Sequence, residues 1–190
     1  DGIRRRYADG ETEMMYLTIH NENHAMPAMP EGAADGIRRG LYRVAPAEMD
    51  DDAPRVQLLA SGAILYEAMR AQTLLAEQFG VAADVWSATS WCLLARDGMA
   101  AERWSRLHPD EDPRSAYVTD CLAEAPGPVV AACDYVRAVP EQIRPWVPAP
   151  MTVLGTDGFG RSDSRDRLRR FFEVSAEQIA LAALHRLAVA

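Results

Sequence analysis

The chain has 190 residues, of which 48% are hydrophobic and 25% are charged, and its formal net charge is −8. This balance is typical of a soluble globular domain whose core is large enough to need no disulfide or metal. The negative charge argues against a general nucleic-acid binder, which needs a basic face to displace counterions, and against docking on an anionic membrane. No apolar run approaches the roughly 20 residues that cross a bilayer.

The cysteine pattern favours a reducing compartment. Cys92, Cys121 and Cys133 are widely spaced and odd in number, and none belongs to a Cys-x-x-Cys pair. We therefore expect three reduced thiols in a cytoplasmic protein. The chain has no initiator methionine, and Asp1–Arg5 reads like the inside of a helix. We expect it to be part of a longer polypeptide.

The first quarter of the chain is less regular than the rest. Met14–His20 is rich in β-branched and aromatic residues, which predicts a strand. Two prolines and a glycine in Asn21–Gly32 predict an extended crossing segment. Ala45–Pro54 contains a run of three aspartates and is the best internal linker. We therefore expect an N-terminal extension and linker at residues 1–54 and an α/β domain at residues 55–190.

Strands and helices alternate through the second part. The predicted strands are Arg55–Ala60, Ala83–Ala88, Pro128–Ala132 and Met151–Leu154. The predicted helices are Ile64–Phe79, Thr89–Leu107 with a break at Gly98, Arg165–Phe172 capped by Asp163 or Ser164, and a last helix that begins with a Ser175–Gln178 capping box. Short apolar strands separated by helices predict a three-layer α/β/α fold with a mostly parallel sheet of about five strands.

The first candidate site is the glycine-rich segment Gly155–Ser164, which lies between a predicted strand and a predicted helix. Backbone amides at such a turn, together with Gly158, Gly160 and Arg161, could hold an anion. The segment lacks the Lys-Ser/Thr ending of a phosphate-binding P-loop. The alternative is a structural turn in which Arg161 pairs with a carboxylate and Asp163 caps the next helix.

The second candidate site is the Ser61-Gly62 step at the end of a predicted strand. Ligands of open α/β sheets bind beyond the carboxyl ends of the strands, near the point where strand order reverses. Ser90 and Asp134 would project from the same edge. The alternative is that these residues form ordinary strand-to-helix turns.

The third candidate site is a set of metal-ligand residue types at alternate positions, His20, Glu22 and His24. In an extended chain these side chains would share one face, and two imidazoles with a carboxylate can bind a divalent metal. No fourth ligand is evident. The alternative is that these side chains tie down the crossing segment by hydrogen bonds.

Several segments, taken in order, resemble one family. They are Asn21–Asn23, Met26–Gly32, Leu93–Gly98, Glu102–Pro109, Pro128–Tyr135, Pro140–Pro148 and Leu154–Arg165. Together they look like the C-terminal domain of the homodimeric, thiamine-diphosphate-dependent first component of the pyruvate dehydrogenase complex. The resemblance covers nearly the whole chain and implies a transketolase-like C-terminal α/β domain, in agreement with the fold predicted from the residues.

The resemblance also implies chemistry for the full-length enzyme. Such an enzyme decarboxylates pyruvate on thiamine diphosphate with Mg²⁺. It then reductively acetylates the lipoyl group of the dihydrolipoyl acetyltransferase core. The cofactor performs the carbanion chemistry, and the protein positions it. The implied partners are the rest of the polypeptide, a homodimer partner and the acetyltransferase.

The family's Gly-Asp-Gly motif for Mg²⁺ and diphosphate is absent, because Thr156 stands where the first glycine of Thr156-Asp157-Gly158 would be. We therefore expect no catalytic residue and no bound cofactor in this segment, and a structural, dimer-forming role. Two alternatives remain open. One is a free-standing regulatory or interaction module of the same fold. The other is part of a related enzyme for another 2-oxo acid, which departures from the family pattern such as His24 would suit.

Overall fold

The computed structural model describes residues 1–12, 14–19, 23–50 and 52–189. The strands are β1 (Tyr42–Ala45), β2 (Arg55–Ala60), β3 (Ala82–Ser87), β4 (Val129–Ala132) and β5 (Met151–Leu154). The helices are α1 (Gly2–Tyr7), α2 (Ala34–Arg39), α3 (Ile64–Phe79), α4 (Trp91–Leu107), α5 (Tyr117–Leu122), α6 (Ala138–Glu141), α7 (Arg165–Phe171) and α8 (Ala176–Ala188). A 3₁₀ turn spans Arg144–Trp146. Among these residues no helix is both long and apolar enough to cross a bilayer.

The five strands form one sheet in the order β1-β3-β2-β4-β5. β2, β3, β4 and β5 are parallel, and β1 pairs with β3 in the antiparallel direction. In the central strand, Leu58 lies opposite Val85 of β3 and Val130 of β4. The chain passes from β2 to β3 on one side and then returns to β4 on the other. A crevice is expected at the carboxyl ends where strand order reverses in this way.

The sheet is covered on both faces, which confirms the predicted three layers. Alternate residues of a strand point to opposite faces, so Leu58 packs with α3 and α8 while Leu59 packs with α4 and α5. Both leucines are fully buried. Burial on both faces explains why the parallel strands are apolar at nearly every position.

Three elements have the bounds that the sequence predicts: Arg55–Ala60, Ile64–Phe79 and Met151–Leu154. Gly80, which ends the first helix, adopts the left-handed conformation that a helix stop requires. The antiparallel edge strand Tyr42–Ala45 comes from the part predicted as an extension and linker. The division of the chain at residue 54 stays a prediction.

Two predicted features are wrong. No helix or strand forms over residues 14–19 of the predicted strand Met14–His20, and His20 lies outside the described residues. No described strand lies beside residues 14–19 to accept their backbone hydrogen bonds. Helix α4 also continues through Gly98 without a break. A Cβ at Gly98 would lie 2.3 Å from the Trp146 ring, so this glycine permits close packing and does not end the helix.

The predicted capping box of the last helix is wrong as well. Ser175 occupies the N-cap position, but its hydroxyl donates to Glu177 at 2.7 Å and makes no capping hydrogen bond. The backbone N–H of Ala176 instead donates to the Glu67 carboxylate at 2.9 Å. A buried carboxylate from α3 therefore occupies the place of the local cap. Helix α7 has Ser164 at its N-cap position without a side-chain capping bond, and Asp163 accepts the Ser164 N–H instead.

Candidate functional site

A cavity of about 460 Å³ lies beyond the carboxyl ends of β2, β4 and β5. Ala63 follows the first of these strands, Asp134 the second and Thr156 the third. The cavity is therefore at the edge where the strand order predicts a crevice. Its size is within the range of sites for small molecules, about 300–1,000 Å³.

Hydrogen bonds tie the segment after β5 to the segment after β4. The backbone N–H of Thr156 donates to the Tyr135 carbonyl at 2.8 Å, and the Thr156 hydroxyl donates to the Asp134 carbonyl. The Arg137 backbone N–H and guanidinium donate to Asp157 at 2.9 and 2.6 Å. These two bonds hold the pKa of the Asp157 carboxyl below its ordinary value. The floor of the cavity is thus fixed, while Gly158–Gly160 beyond it is exposed.

Gly158, Gly160 and Arg161 of the first candidate site all line the cavity. The Arg161 guanidinium lies over the Phe171 ring, 4.0 Å from its centroid. The structural alternative predicted an ion pair between Arg161 and a carboxylate. Among the described residues Asp157 pairs with Arg137 and Asp163 with Arg167, and Arg161 forms no such pair. Gly158 has a φ of 85°, which a residue with a side chain rarely adopts.

Ser61 and Gly62 of the second candidate site lie beside the cavity but do not line it. Ser61 is buried, and its hydroxyl accepts the indole N–H of Trp91 at 2.9 Å. Gly62 begins the turn into α3 with a φ of 57°. Ser90 caps α4 by accepting the Leu93 N–H at 3.2 Å. Of the residues predicted for this site, only Asp134 lines the cavity. The hydroxyls of Ser61 and Ser90 have structural partners instead.

His20 and Glu22 of the metal candidate lie outside the described residues. His24 stacks on Tyr66 with 5.1 Å between ring centroids, and it also lines the cavity. The Tyr66 hydroxyl donates to the Ala25 carbonyl at 3.0 Å and so anchors the crossing segment on α3. In the part of the chain that the structure describes, no three His, Cys, Asp or Glu side chains are grouped as a metal site would need.

Sequence reasoning missed two arginines of the cavity, Arg165 and Arg169. Arg169 donates to the buried carboxylate of Glu67 at 2.9 Å. The spacing of Arg165 and Arg169 in the predicted helix Arg165–Phe172 was a usable signal, because residues four apart share one side of a helix. The position of His24 at the same cavity could not be predicted from the sequence, because His24 is far along the chain from the arginines and approaches them only in the folded protein.

An open, mostly parallel sheet with helices on both faces and a crevice at its switch point defines a three-layer α/β domain. The chain belongs to the transketolase-like C-terminal domain family, whose model, described as "Transketolase-like TK C-terminal domain", matches residues 40–175. The solved transketolase from Leishmania mexicana superposes with a TM-score of 0.52 at 21% identity, covering 82% of this chain and 19% of that one. That likeness shows the fold alone.

Two further comparisons are with longer chains that contain a segment similar to this one. The pyruvate dehydrogenase E1 component of Cupriavidus necator is 50% identical over 188 residues, which are 99% of this chain and 21% of the relative. The chain therefore spans about a fifth of the length of that curated relative. A solved structure titled "Split gene transketolase, inactive beta4 tetramer" matches with a TM-score of 0.50 at 19% identity, covering 79% of this chain and 43% of that one.

Proposed function

We propose that this chain is the C-terminal domain of a homodimeric pyruvate dehydrogenase first component, and that it has a structural, dimer-forming role there. The observation that carries the proposal is the 50% identity to a pyruvate dehydrogenase E1 component across 99% of the chain. The fold supports it, because the five-stranded sheet is that of transketolase C-terminal domains.

The activity of the full-length enzyme follows from this assignment. Pyruvate would be decarboxylated on thiamine diphosphate with Mg²⁺, and the acetyl group would pass reductively to the lipoyl group of the dihydrolipoyl acetyltransferase. The cofactor supplies the carbanion chemistry. The residues of this chain do not fit the diphosphate-binding motif: Thr156 replaces its first glycine, and both carboxylate oxygens of Asp157 accept from Arg137. We assign the cofactor site to the rest of the polypeptide.

Exposed apolar side chains in the N-terminal segment support partners within the same assembly. Tyr16 is 90% exposed and Ile19 is 89% exposed, and further along the chain Met26 is 81% exposed. Several large apolar side chains exposed within one segment point to a surface that a partner covers. We propose that the rest of the polypeptide and the homodimer partner cover it. The tetramer named for the split-gene transketolase is an assembly of a chain that contains this fold.

We also propose a cytoplasmic location, which the three free cysteines support. A second candidate function is a free-standing regulatory or interaction module of the same fold. The cavity at the carboxyl edge of the sheet favours it, because such a module needs a place for a ligand. Turnover by the full-length protein separates the two candidates.

The test compares calorimetric titration of the 190-residue chain and of the full-length protein with thiamine diphosphate and Mg²⁺. Decarboxylation of pyruvate is assayed in parallel. We expect binding and turnover only with the full-length protein. Stoichiometric binding or turnover by the 190-residue chain would contradict the structural role. If the full-length protein did not decarboxylate pyruvate but decarboxylated another 2-oxo acid, it would be a related enzyme with a different substrate.

A further inference from the structure

Three arginines contribute to the lining of the cavity at the carboxyl edge of the sheet. Arg161, Arg165 and Arg169 line it at intervals of four residues. Asp134 is its acidic residue within the described part of the chain. This concentration of positive charge stands out in a chain whose net charge is −8. Guanidinium groups present planar pairs of N–H donors that match phosphate and carboxylate oxygens.

Two of these guanidinium groups are oriented by the fold. Arg169 is held by the buried Glu67 carboxylate at 2.9 Å, and its side chain is only 19% exposed. Arg161 stacks on Phe171 with 4.0 Å between the guanidinium carbon and the ring centroid. Side chains fixed before a ligand arrives lose less conformational entropy on binding. Arg161 and Arg165 are both exposed.

The same lining includes apolar side chains. Ile64 and Val174 are almost fully buried, and Leu168 and Phe172 come from the helix that carries Arg165 and Arg169 or from its end. At the mouth, the Phe159 side chain is 97% exposed. It stands between Gly158 and Gly160, and Gly158 adopts a φ of 85°, which residues with a side chain rarely adopt. An exposed phenyl ring at the mouth can cover the apolar part of a ligand.

We propose that this cavity binds a small organic anion. A phosphate or carboxylate head contacts Arg161 and Arg165, and an aromatic or aliphatic part packs between Phe159 and the wall that contains Ile64 and Phe172. The site goes beyond the proposed function, since the structural role needs no ligand here. A ligand of this class matches the lining, which offers both guanidinium groups and apolar side chains.

The test uses the full-length protein, saturated with its own cofactors, and two simple probes of the two head groups, phenyl phosphate and benzoate. Benzyl alcohol is the neutral control. Binding is measured by calorimetry at probe concentrations up to about 10 mM, roughly ten times a dissociation constant of about 1 mM. The double variant Arg161→Ala/Arg165→Ala should bind the preferred anion at least ~10-fold more weakly, because two charge-assisted hydrogen-bonding groups are lost.

Arg167→Ala is the matched control for charge and for the helix. Arg167 belongs to α7, its side chain is 76% exposed, it lies 3.9 Å from Asp163, and it does not line the cavity. The control should change the affinity by less than ~2-fold, because the Arg167 side chain is solvent-exposed and does not line the cavity. Equal losses in the control and the double variant would overturn the site, and so would an unchanged double variant.

Two further variants have expected effects that unfolding cannot produce. Asp134→Asn should tighten binding of the preferred anion by ~3-fold, because a like charge is removed from the cavity. Phe159→Ala should weaken phenyl phosphate more than inorganic phosphate, because only the former has a ring to cover. An Asp134→Asn variant that binds the anion no better than wild type would contradict the proposed position of the head group.

The two probes also assign the head group. Tighter phenyl phosphate identifies a phosphate monoester as the ligand class, and tighter benzoate identifies a carboxylate; either result supports the site. Absence of saturable binding for both probes overturns it. Turnover measured on the same samples keeps the proposed function separate. Normal turnover without probe binding refutes only the cavity, and probe binding without turnover refutes only the assignment of activity.

Discussion

The central sheet and the N-terminal segment of residues 14–29 carry similar apolar side chains, yet the fold treats them in opposite ways. Leu58 of β2 is fully buried, whereas Leu17 is 76% exposed. The difference lies in the neighbours. β2 pairs in register with β3 and β4, while no described strand lies beside residues 14–19. An apolar sequence predicts burial only where another element supplies the second surface.

The same comparison explains which interactions stabilise the domain. Helices α3 and α8 cover one face of the sheet, and a buried polar contact fixes them to each other. In the described part of the N-terminal segment, the Thr18 hydroxyl lies 3.0 Å from the Tyr135 hydroxyl, and the Ala25 carbonyl accepts from Tyr66. We expect substitutions in the two regions to differ accordingly.

The largest difference is expected from the same substitution in both regions. Leu58→Ala should lower the free energy of unfolding by about 2–5 kcal/mol, because it leaves a cavity between the sheet and α3. Leu17→Ala, its matched control, should change it by less than about 0.5 kcal/mol, because that side chain is already exposed. Urea unfolding followed by circular dichroism measures both. Similar losses would mean that residues 14–29 belong to the cooperative core.

Glu67 should have the next largest effect. Its buried carboxylate accepts from Arg169 and from the Ala176 N–H, both at 2.9 Å, and from Arg70 at 3.2 Å. Glu67→Ala should cost about 2–3 kcal/mol, because it removes the acceptor of a buried N–H and the partner of a half-buried guanidinium. Urea unfolding provides the measurement.

Two variants test the reason for that loss. Glu67→Gln keeps one oxygen acceptor for the Ala176 N–H, so it should cost about 1 kcal/mol. Glu77→Ala is exposed on the same helix and should change stability by less than about 0.5 kcal/mol. A Glu67→Ala variant that unfolds at the same urea concentration as Glu77→Ala would show that the buried cap contributes nothing.

These contacts also mark where prediction from the sequence succeeds. Arg55–Ala60 is predictable because a short, mostly apolar run ends at Ser61-Gly62, and Ile64–Phe79 because a helical apolar stripe ends at Gly80, so the signal is local. The Ser175 cap is mispredicted because the actual acceptor, Glu67, is remote in the chain. The break at Gly98 is mispredicted because Trp146 determines what that glycine does.

The candidate site divides in the same way. The turn at Gly158–Arg161 is predictable from its composition, and its place at the strand ends follows from the alternation of elements. The wall formed with Arg165 and Arg169 needs the helix that follows. The contribution of His24 needs the crossing segment to lie on Tyr66, which no local pattern specifies. Sites assembled from distant segments become visible only in the folded chain.

Cysteine reactivity sharpens the comparison between buried and exposed positions. Burial raises the pKa of the Cys133 thiol to about 12, and Cys133 is fully buried, whereas Cys92 is exposed on α4. With a chromogenic disulfide reagent at about pH 8, Cys92 should react at least ~100-fold faster, because the thiolate is the nucleophile and needs access. Cys92→Ser should abolish the fast phase, and a fast phase that persisted would place the reactive thiol elsewhere.

The raised pKa of the Cys133 thiol predicts how the free energy of unfolding changes at alkaline pH. The folded-state pKa of Cys133 lies above its ordinary value of 9.0, so the folded state holds the proton more tightly than the unfolded state. The contribution of the protonated Cys133 thiol to the free energy of unfolding is complete below about pH 9 and is lost progressively as the pH rises toward about 12. Wild type should therefore lose stability relative to Cys133→Ala over that range. Parallel curves for the two proteins, measured by urea unfolding at each pH, would contradict the prediction.

The smallest effect on stability is expected in the N-terminal segment, where the effect on association should instead be clear. Leu17→Ser with Ile19→Ser should leave the free energy of unfolding within about 0.5 kcal/mol of wild type, because both side chains are exposed. If these residues form the interface that we propose, the double variant of the 190-residue chain should self-associate at least ~10-fold more weakly, because it removes apolar surface from the contact.

Sedimentation velocity across a concentration series measures that association, and Leu181→Ser is the matched control. Leu181 is 60% exposed on α8, outside the N-terminal segment. Equal weakening by the control would mean that the chain associates through exposed apolar groups in general. Loss of association only in the N-terminal variant would show that the apolar side chains left uncovered by this fold are the ones that bind the next part of the assembly.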